Sequence, residues 1–149
     1  MGTIRRAAGA EADILTEIAA ASEGYWGYDE SFMKRFREIY RITEDFIIEN
    51  IVFVMEEAGI AGFYAVIANG SEGSLEYLFI DPTSIGKGYG KALWTHMVHQ
   101  CRNRGIRRLE IVSGPQAKGF YVKMGAKPAG EVASLVTPGR RVPRLIYEP

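Results

Sequence analysis

The residues between Leu75 and Leu93 are arranged to hold an anion. Leu75-Glu76-Tyr77-Leu78-Phe79-Ile80 is an apolar run of strand length, Asp81-Pro82 stops it, and Gly86-Lys87-Gly88-Tyr89-Gly90-Lys91 follows. From Ala92 the apolar residues take helical spacing. A helix that begins in such a loop aims unpaired backbone N–H groups and the positive end of its dipole at one spot. Glycines let the main chain approach a ligand closely and adopt dihedrals that other residues resist. The combination predicts a site for phosphate or pyrophosphate.

Two common phosphate fingerprints fail on this loop. A P-loop needs Gly-Lys-Ser/Thr, but Gly90-Lys91 is followed by Ala92, and Ile85 stands where the first glycine belongs. A dinucleotide loop needs a glycine three residues after Gly88, where Lys91 stands. A second segment lies one helix and one strand further on: Ser113-Gly114-Pro115-Gln116-Ala117-Lys118-Gly119-Phe120-Tyr121-Val122-Lys123-Met124-Gly125-Ala126. Together the two segments resemble the signatures of the GNAT N-acetyltransferase superfamily. The first follows its Gln/Arg-x-x-Gly-x-Gly/Ala acyl-CoA loop, with Gly88 and Gly90 in register and Ile85 in place of Gln or Arg. The second follows its Asn-x-Ala start and Phe-Tyr-x-x-x-Gly ending, with Gln116 in place of Asn, Gly114 in place of a frequent Asp, and Tyr121 retained. The likeness covers roughly residues 50 to 130, and the Ile4-Arg5-Arg6-Ala7 start is similar too.

The resemblance implies acetyl-CoA as acyl donor and a primary amine as acceptor. It implies that the main chain of Leu78, Phe79 and Ile80 holds the pantetheine like an added strand and supplies an oxyanion donor. It implies that Gly86, Lys87, Gly88, Tyr89, Gly90 and Lys91 hold the pyrophosphate, with Gln116 and Tyr121 completing the donor site. Tyr121 is the implied general acid for the departing thiolate, since a phenol donates without first ionising; otherwise it is a core aromatic. Glu76 is the leading base and Glu110 the runner-up, the alternative for each being a solvated or arginine-paired strand carboxylate. A base is useful because an ammonium of pKa about 10.4 has no lone pair with which to attack. If Tyr77 and Phe79 share one face of their strand, Glu76 and Leu78 share the other.

Acceptor recognition in the superfamily falls to the variable N-terminal helices and the strand turns. Tyr25, Trp26 and Tyr28, with Glu23 and Asp29, form an aromatic and acidic wall for a cationic amine, or else cover a sheet edge. Arg140 and Arg141 in the last turn select a carboxylate-bearing acceptor, or are ordinary hairpin arginines. His96 and His99 sit three residues apart on a helix without a carboxylate or cysteine to complete a metal set, and read as packing or surface residues. Ile85, Gly114 and Gln116 motivate an alternative, a non-catalytic acyl-CoA-binding or sensing module. A protein lysine or N-terminal acetyltransferase is a further one.

The elements that must position these residues follow from composition and spacing. The chain has 149 residues, 47% of them hydrophobic and 24% charged, which predicts one domain, 1–149, with a buried core. Eighteen basic and 18 acidic side chains cancel, which argues against nucleic acid as a partner. Arg102, Arg104, Arg107 and Arg108 read as a solvated helix end. A single cysteine, Cys101, excludes an internal disulfide and fits a reducing cytoplasm, and no apolar run reaches membrane-spanning length. Oligomeric state is left open, a homodimer included.

Thr3 to Ala7 reads as a strand and Glu11 to Ala21 as a helix, with Asp29 and Thr43 capping two more helices. Ile51–Met55, Ile60–Ala68 and Leu75–Ile80 form a meander joined by the turns 56–59 and 69–74. A helix presents Leu93, Met97, Val98 and Cys101 inward; Leu109–Val112 is a strand, 117–124 a short helix, and 131–136 and 142–147 two final strands. The expected core is Ile14, Ile18, Phe53, Phe63, Leu78, Leu93, Met97, Leu109 and Ile111. This order predicts an α/β fold, a mixed and mostly antiparallel GNAT-like sheet with helices on both faces.

Overall fold

Every adjacent strand pair in the sheet is antiparallel except one. The computed structural model describes residues 2–149. Its seven strands are β1 (Thr3–Arg6), β2 (Ile51–Glu56), β3 (Ile60–Asn69), β4 (Glu72–Ile80), β5 (Arg108–Val112), β6 (Lys127–Ala133) and β7 (Arg141–Tyr147). They lie in the order β1-β2-β3-β4-β5-β7-β6, and only β4 and β5 run parallel. A parallel neighbour needs a crossover, and here it is α4 (Tyr89–Asn103), which starts in the glycine loop. Three helices, α1 (Ala12–Gly24), α2 (Glu30–Ile39) and α3 (Glu44–Glu49), precede the meander, and α5 (Lys118–Lys123) follows β5.

The helices divide between the two faces and give the sheet two cores. Leu93, Trp94, Met97 and Cys101 of α4 and Tyr121 of α5 pack on one face with Tyr64, Leu75 and Ile111. Leu15 and Ile18 of α1, Phe32 and Phe36 of α2 and Ile47 of α3 pack on the other with Val52, Phe63 and Tyr77. The α2 and α3 starts are fixed by the side chains of Asp29 and Thr43, which accept the Phe32 and Phe46 N–H groups. Of the expected core, Ile18, Phe63, Leu93, Met97, Leu109 and Ile111 are buried, and Phe53 and Leu78 are half-buried against it. Ile14 is not part of it: Leu15 and Ile18 set the inward face of α1, leaving Ile14 51% exposed.

Two boundaries differ from the sequence reading. The segment 69–74 is not a six-residue turn, because β3 and β4 pair out to Asn69↔Glu72. The reversal is confined to Gly70-Ser71, with Gly70 at φ 63° as a tight hairpin requires. The sixth strand lies at Lys127–Ala133 rather than 131–136, because Gly130 at φ 87° creates an irregularity within it, past which pairing to β7 resumes.

One further irregularity builds the site. Along β3 and β4, Ala65 faces Tyr77 but Val66 faces Leu75, so Glu76 is an extra residue with no partner. Such a bulge flips the side-chain alternation: Leu75 belongs to the α4-side core and Tyr77, two residues on, to the opposite one. The β4–β5 ladder runs from Glu72↔Arg108 to Leu75↔Ile111 and stops there. Beyond the bulge the two parallel strands part.

Candidate active site

A cleft of about 430 Å³ fills the gap where β4 and β5 separate. Leu78, Phe79 and Ile80 line one side, Val112, Ser113 and Gly114 the other, and Gly90, Phe120 and Tyr121 the helical end. The main chain of β4 is available on this side. The Asp81 N–H donates to the Ala61 carbonyl at 2.8 Å. Strand residues alternate the direction of their N–H and C=O groups, so Phe79 also turns towards β3, while Leu78 and Ile80 turn their polar groups into the cleft.

The glycine loop caps that cleft. Gly86 and Gly88 adopt φ 88° and 78°, and α4 starts immediately after Gly88. The first intrahelical bond of this end is Ala92 N–H to the Gly88 carbonyl, at 3.1 Å. The N–H groups of Tyr89, Gly90 and Lys91 therefore precede any intrahelical partner, as the first turn of a helix requires. A Cβ on Gly88 would meet nothing within 4 Å, whereas one on Gly90 would lie 3.5 Å from the Phe120 ring. The side chains of Lys87 and Tyr89 are occupied elsewhere. Lys87 Nζ lies 2.8 Å from Glu57 Oε1, and the Tyr89 hydroxyl also donates to Glu57, while the Tyr89 ring is buried in the core. These two contacts tie the loop to the β2–β3 hairpin and leave main-chain groups to face an anion. Lys91 is exposed on the first turn.

Tyr121 is buried at the end of the cleft, its ring 5.9 Å from that of Trp94 and 5.4 Å from that of Phe120. Burial pushes its phenol far above the usual tyrosine value, so it stays protonated. Its hydroxyl has no protein hydrogen-bond partner, and no buried side-chain polar atom among the described residues is left unsatisfied. The hydroxyl therefore opens on the cleft.

A second cleft, of about 480 Å³, lies on the other side of the β4 bulge. Phe32, Phe36, Tyr40 and Phe46 from the helices and Tyr77 and Phe79 from β4 line it. The two clefts share Glu23, Glu76, Phe79 and the β5 end at Val112, Ser113 and Gly114. Glu76, set at the bulge, thus faces both. Partial loss of hydration holds its carboxyl above the ordinary glutamate value, slightly countered by the Ser74 hydroxyl at 3.4 Å. Glu23, at the end of α1, is raised in the same way by burial, and the Arg140 charge opposes the rise.

The other residues singled out in the sequence take definite places. Glu110 is bound by Arg144, Nε to Oε2 at 2.6 Å, the arginine-paired state, and it is absent from both clefts. Tyr25 and Trp26 lie on the first cleft and only Tyr28 on the second, so the three do not make one wall. Asp29 is engaged as the α2 cap. Tyr28 links three loops: Gln116 Nε2 donates to its hydroxyl at 2.9 Å and Arg140 donates at 3.1 Å. Arg141 donates to the Glu131 carbonyl at 2.8 Å and lines neither cleft. His96 packs tilted against Phe53, ring centres 4.6 Å apart, with Nδ1 2.8 Å from the Tyr64 hydroxyl, a packing role, while His99 pairs with Asn103. Among the described residues no cluster of three metal-ligating side chains exists. The Cys101 thiol is buried and pushed up to about 11, so it is unreactive. The aromatic lining from α2 and α3 is not among the functional residues singled out from the sequence. Its signal was the density of rings, since Phe32, Phe36 and Tyr40 recur on one helical face.

A parallel pair splayed by a bulge, with a glycine-capped helix start at its mouth and a second cleft behind it, defines an acyl-transfer scaffold. A family model described as an acetyltransferase (GNAT) domain matches residues 19–133, and the chain belongs to the GNAT acetyltransferase family and is an acyltransferase. It is 28% identical over 130 residues to glucosamine 6-phosphate N-acetyltransferase 1 of Oryza sativa subsp. japonica, covering 73% of this chain and 76% of that protein. The PaiA N-acetyltransferase of Thermoplasma acidophilum, solved in complex with coenzyme A, matches with a TM-score of 0.82 at 19% identity, over 99% of each chain. YncA from Salmonella typhimurium, solved with acetyl-CoA, matches at 0.70 and 17% identity over 99% of this chain and 94% of its own. At these identities the structural likeness is one of fold. No helix among the described residues is long and apolar enough to cross a membrane.

Proposed function

We propose that the protein moves an acetyl group from acetyl-CoA, bound in the β4–β5 cleft, to a primary amine held in the aromatic cleft. The observation that carries this reading is the meeting of the two clefts at Glu76, with the Tyr121 hydroxyl opening on the first. The coenzyme A and acetyl-CoA of the PaiA and YncA structures support the donor. In this reading the pyrophosphate lies against the loop 86–91 and the pantetheine pairs with Leu78 and Ile80, whose open main-chain edge takes the place of a strand.

The chemistry then has a place for each proton. Glu76, whose carboxyl partial burial holds above the ordinary glutamate value, takes one proton from the ammonium directly or through a water. The freed nitrogen attacks the thioester carbonyl carbon. The resulting oxyanion accepts a hydrogen bond from the Leu78 N–H, an electrostatic contribution typical of acyl transfer. As the C–S bond breaks, Tyr121 gives its proton to the sulfur, the acylated nitrogen gives up its second proton to water in the open cleft, and Tyr121 is reprotonated from that water. The products are the N-acetyl amine, the free thiol of CoA and one released proton. Glu110, neutralised by Arg144, has no part in this scheme.

Thiol release from acetyl-CoA in the presence of a panel of small amines and amine-bearing peptides tests the proposal. Turnover with small amines is the expected result. Turnover with peptides alone would make it a protein acetyltransferase. Tight CoA binding by calorimetry with no thiol release from any amine would leave a non-catalytic binding module and overturn the proposed reaction.

A further inference from the structure

Resting on the reading of the chain as an amine acetyltransferase, we propose that its acceptor is an aralkylamine, a primary amine on a short linker from one uncharged apolar ring. Of the residues lining the second cleft, only Glu23, Glu76 and Arg140 carry charge. Both carboxylates are shared with the first cleft, so they mark the end where the acyl group arrives. A protonated amine is drawn to that end, and the remainder of the acceptor must lie away from it. Most of the remaining wall is the rings of Phe32, Phe36, Tyr40, Phe46 and Tyr77, the phenols of Tyr40 and Tyr77 facing Glu76, with exposed aliphatic Ile39 and Leu135 beside them. The Phe36 and Tyr40 rings are 4.9 Å apart and the Tyr40 and Tyr77 rings cross nearly edge to face, a geometry to which an inserted ring adds further favourable pairs. A volume of about 480 Å³ sits at the small end of ligand sites and suits one ring and a short chain.

Two other acceptor classes fit less well. A phosphosugar brings roughly two negative charges at neutral pH, and the sole cation of this lining already donates to the Tyr28 hydroxyl and faces Glu23. A polyamine would bring further ammonium groups into a lining whose only carboxylates are Glu23 and Glu76 and whose remaining wall is mostly rings, which do not offset their lost hydration. The rice relative is named for glucosamine 6-phosphate, so the inference separates this chain from that protein by its acceptor.

Thiol release at saturating acetyl-CoA, compared for 2-phenylethylamine, spermidine and glucosamine 6-phosphate, tests it. The expected kcat/KM for 2-phenylethylamine exceeds the other two by about 100-fold or more, the scale on which a hydrophobic pocket discriminates between candidates. Tyr40→Ala should raise KM for 2-phenylethylamine about tenfold or more and leave that for acetyl-CoA unchanged, while Tyr40→Phe restores the wild-type value because the ring does the binding. The Tyr40 main-chain carbonyl that accepts the Tyr77 hydroxyl persists in both variants, which protects the fold. Equal or better use of the phosphosugar or polyamine overturns the acceptor class and leaves the acetyltransferase reading standing. Calorimetric binding of 2-phenylethylamine to the CoA-loaded protein without thiol release upholds the acceptor class and overturns the catalytic reading. Neither binding nor turnover of 2-phenylethylamine overturns the inference.

Discussion

Removing one oxygen from Tyr121 should separate the proposed acid catalysis from stability. The hydroxyl has no protein partner to lose, and the ring keeps its packing against Trp94 and Phe120, 5.9 and 5.4 Å away. Tyr121→Phe should therefore shift the melting temperature very little, because no buried donor or acceptor is orphaned. The proposed pyrophosphate contacts lie on another element, so CoA affinity measured by calorimetry should stay within about twofold. Turnover should fall, because expelling the thiolate would lose its proton donor. General acid catalysis contributes about 10²–10⁴-fold, equivalent to about 2.7–5.4 kcal/mol of barrier at 1.36 kcal/mol per decade. The assay is kcat from thiol release at saturating acetyl-CoA with an accepted amine, under conditions where a pre-steady-state burst is absent and chemistry limits the rate. Because burial keeps the phenol protonated well above its usual range, the defect should be constant from pH 6 to 9. Wild-type turnover in a folded Tyr121→Phe would make the tyrosine a packing residue and remove the proposed acid.

Other substitutions probe the rest of the site and the core. Glu76→Gln should lower kcat/KM most at neutral pH, the defect shrinking as pH rises and more acceptor is neutral without help; a pH-independent defect would speak against a base. The wild-type acid limb should lie above the ordinary glutamate value of about 4.3, since partial burial raises the Glu76 carboxyl. Gly88→Asp sets a negative charge in open space beside the α4 start, and Asp tolerates the left-handed φ of 78° better than most residues; CoA binding should be lost in a folded protein, and unchanged affinity would move the phosphate site elsewhere. Leu93 is fully buried between sheet and α4, so Leu93→Ala should cost about 2–5 kcal/mol in a urea titration, whereas a loss under about 0.5 kcal/mol would contradict its packing. Glu23 is raised by burial, so the native state binds its proton more tightly than the unfolded chain does, and its ionisation lowers stability as pH climbs from about 4.3 through the native value. The melting temperature of Glu23→Gln relative to wild type should accordingly be more favourable at pH 7 than at pH 4, and the reverse trend in calorimetry would refute the burial of that carboxyl.

What the sequence determined by itself was local. Strand and helix order follow from periodicity, the helix caps from Asp29 and Thr43, and the glycine-capped helix start from glycines placed between a strand and a helix, because each depends on residues only a few positions apart. The elements that carry the proposed donor half, Leu78–Ile80, the loop 86–91 and Tyr121, were therefore legible. Tertiary structure decided the remainder. Alternation alone put Glu76 and Leu78 on one face, but the bulge opposite Ala65 and Val66 makes Glu76 an unpaired residue facing both clefts. An extra residue in a ladder is a property of two strands and leaves no mark on either one. Glu110 was the runner-up for the base, and only the fold shows β7 bringing Arg144 against it. The aromatic cleft likewise needs α2, α3, β4 and the β6–β7 turn together, and its rings had the pattern of ordinary core. Which buried-looking face is filled by protein and which is left open for a substrate depends on how far the packed elements stand apart, and that distance is set by the whole fold.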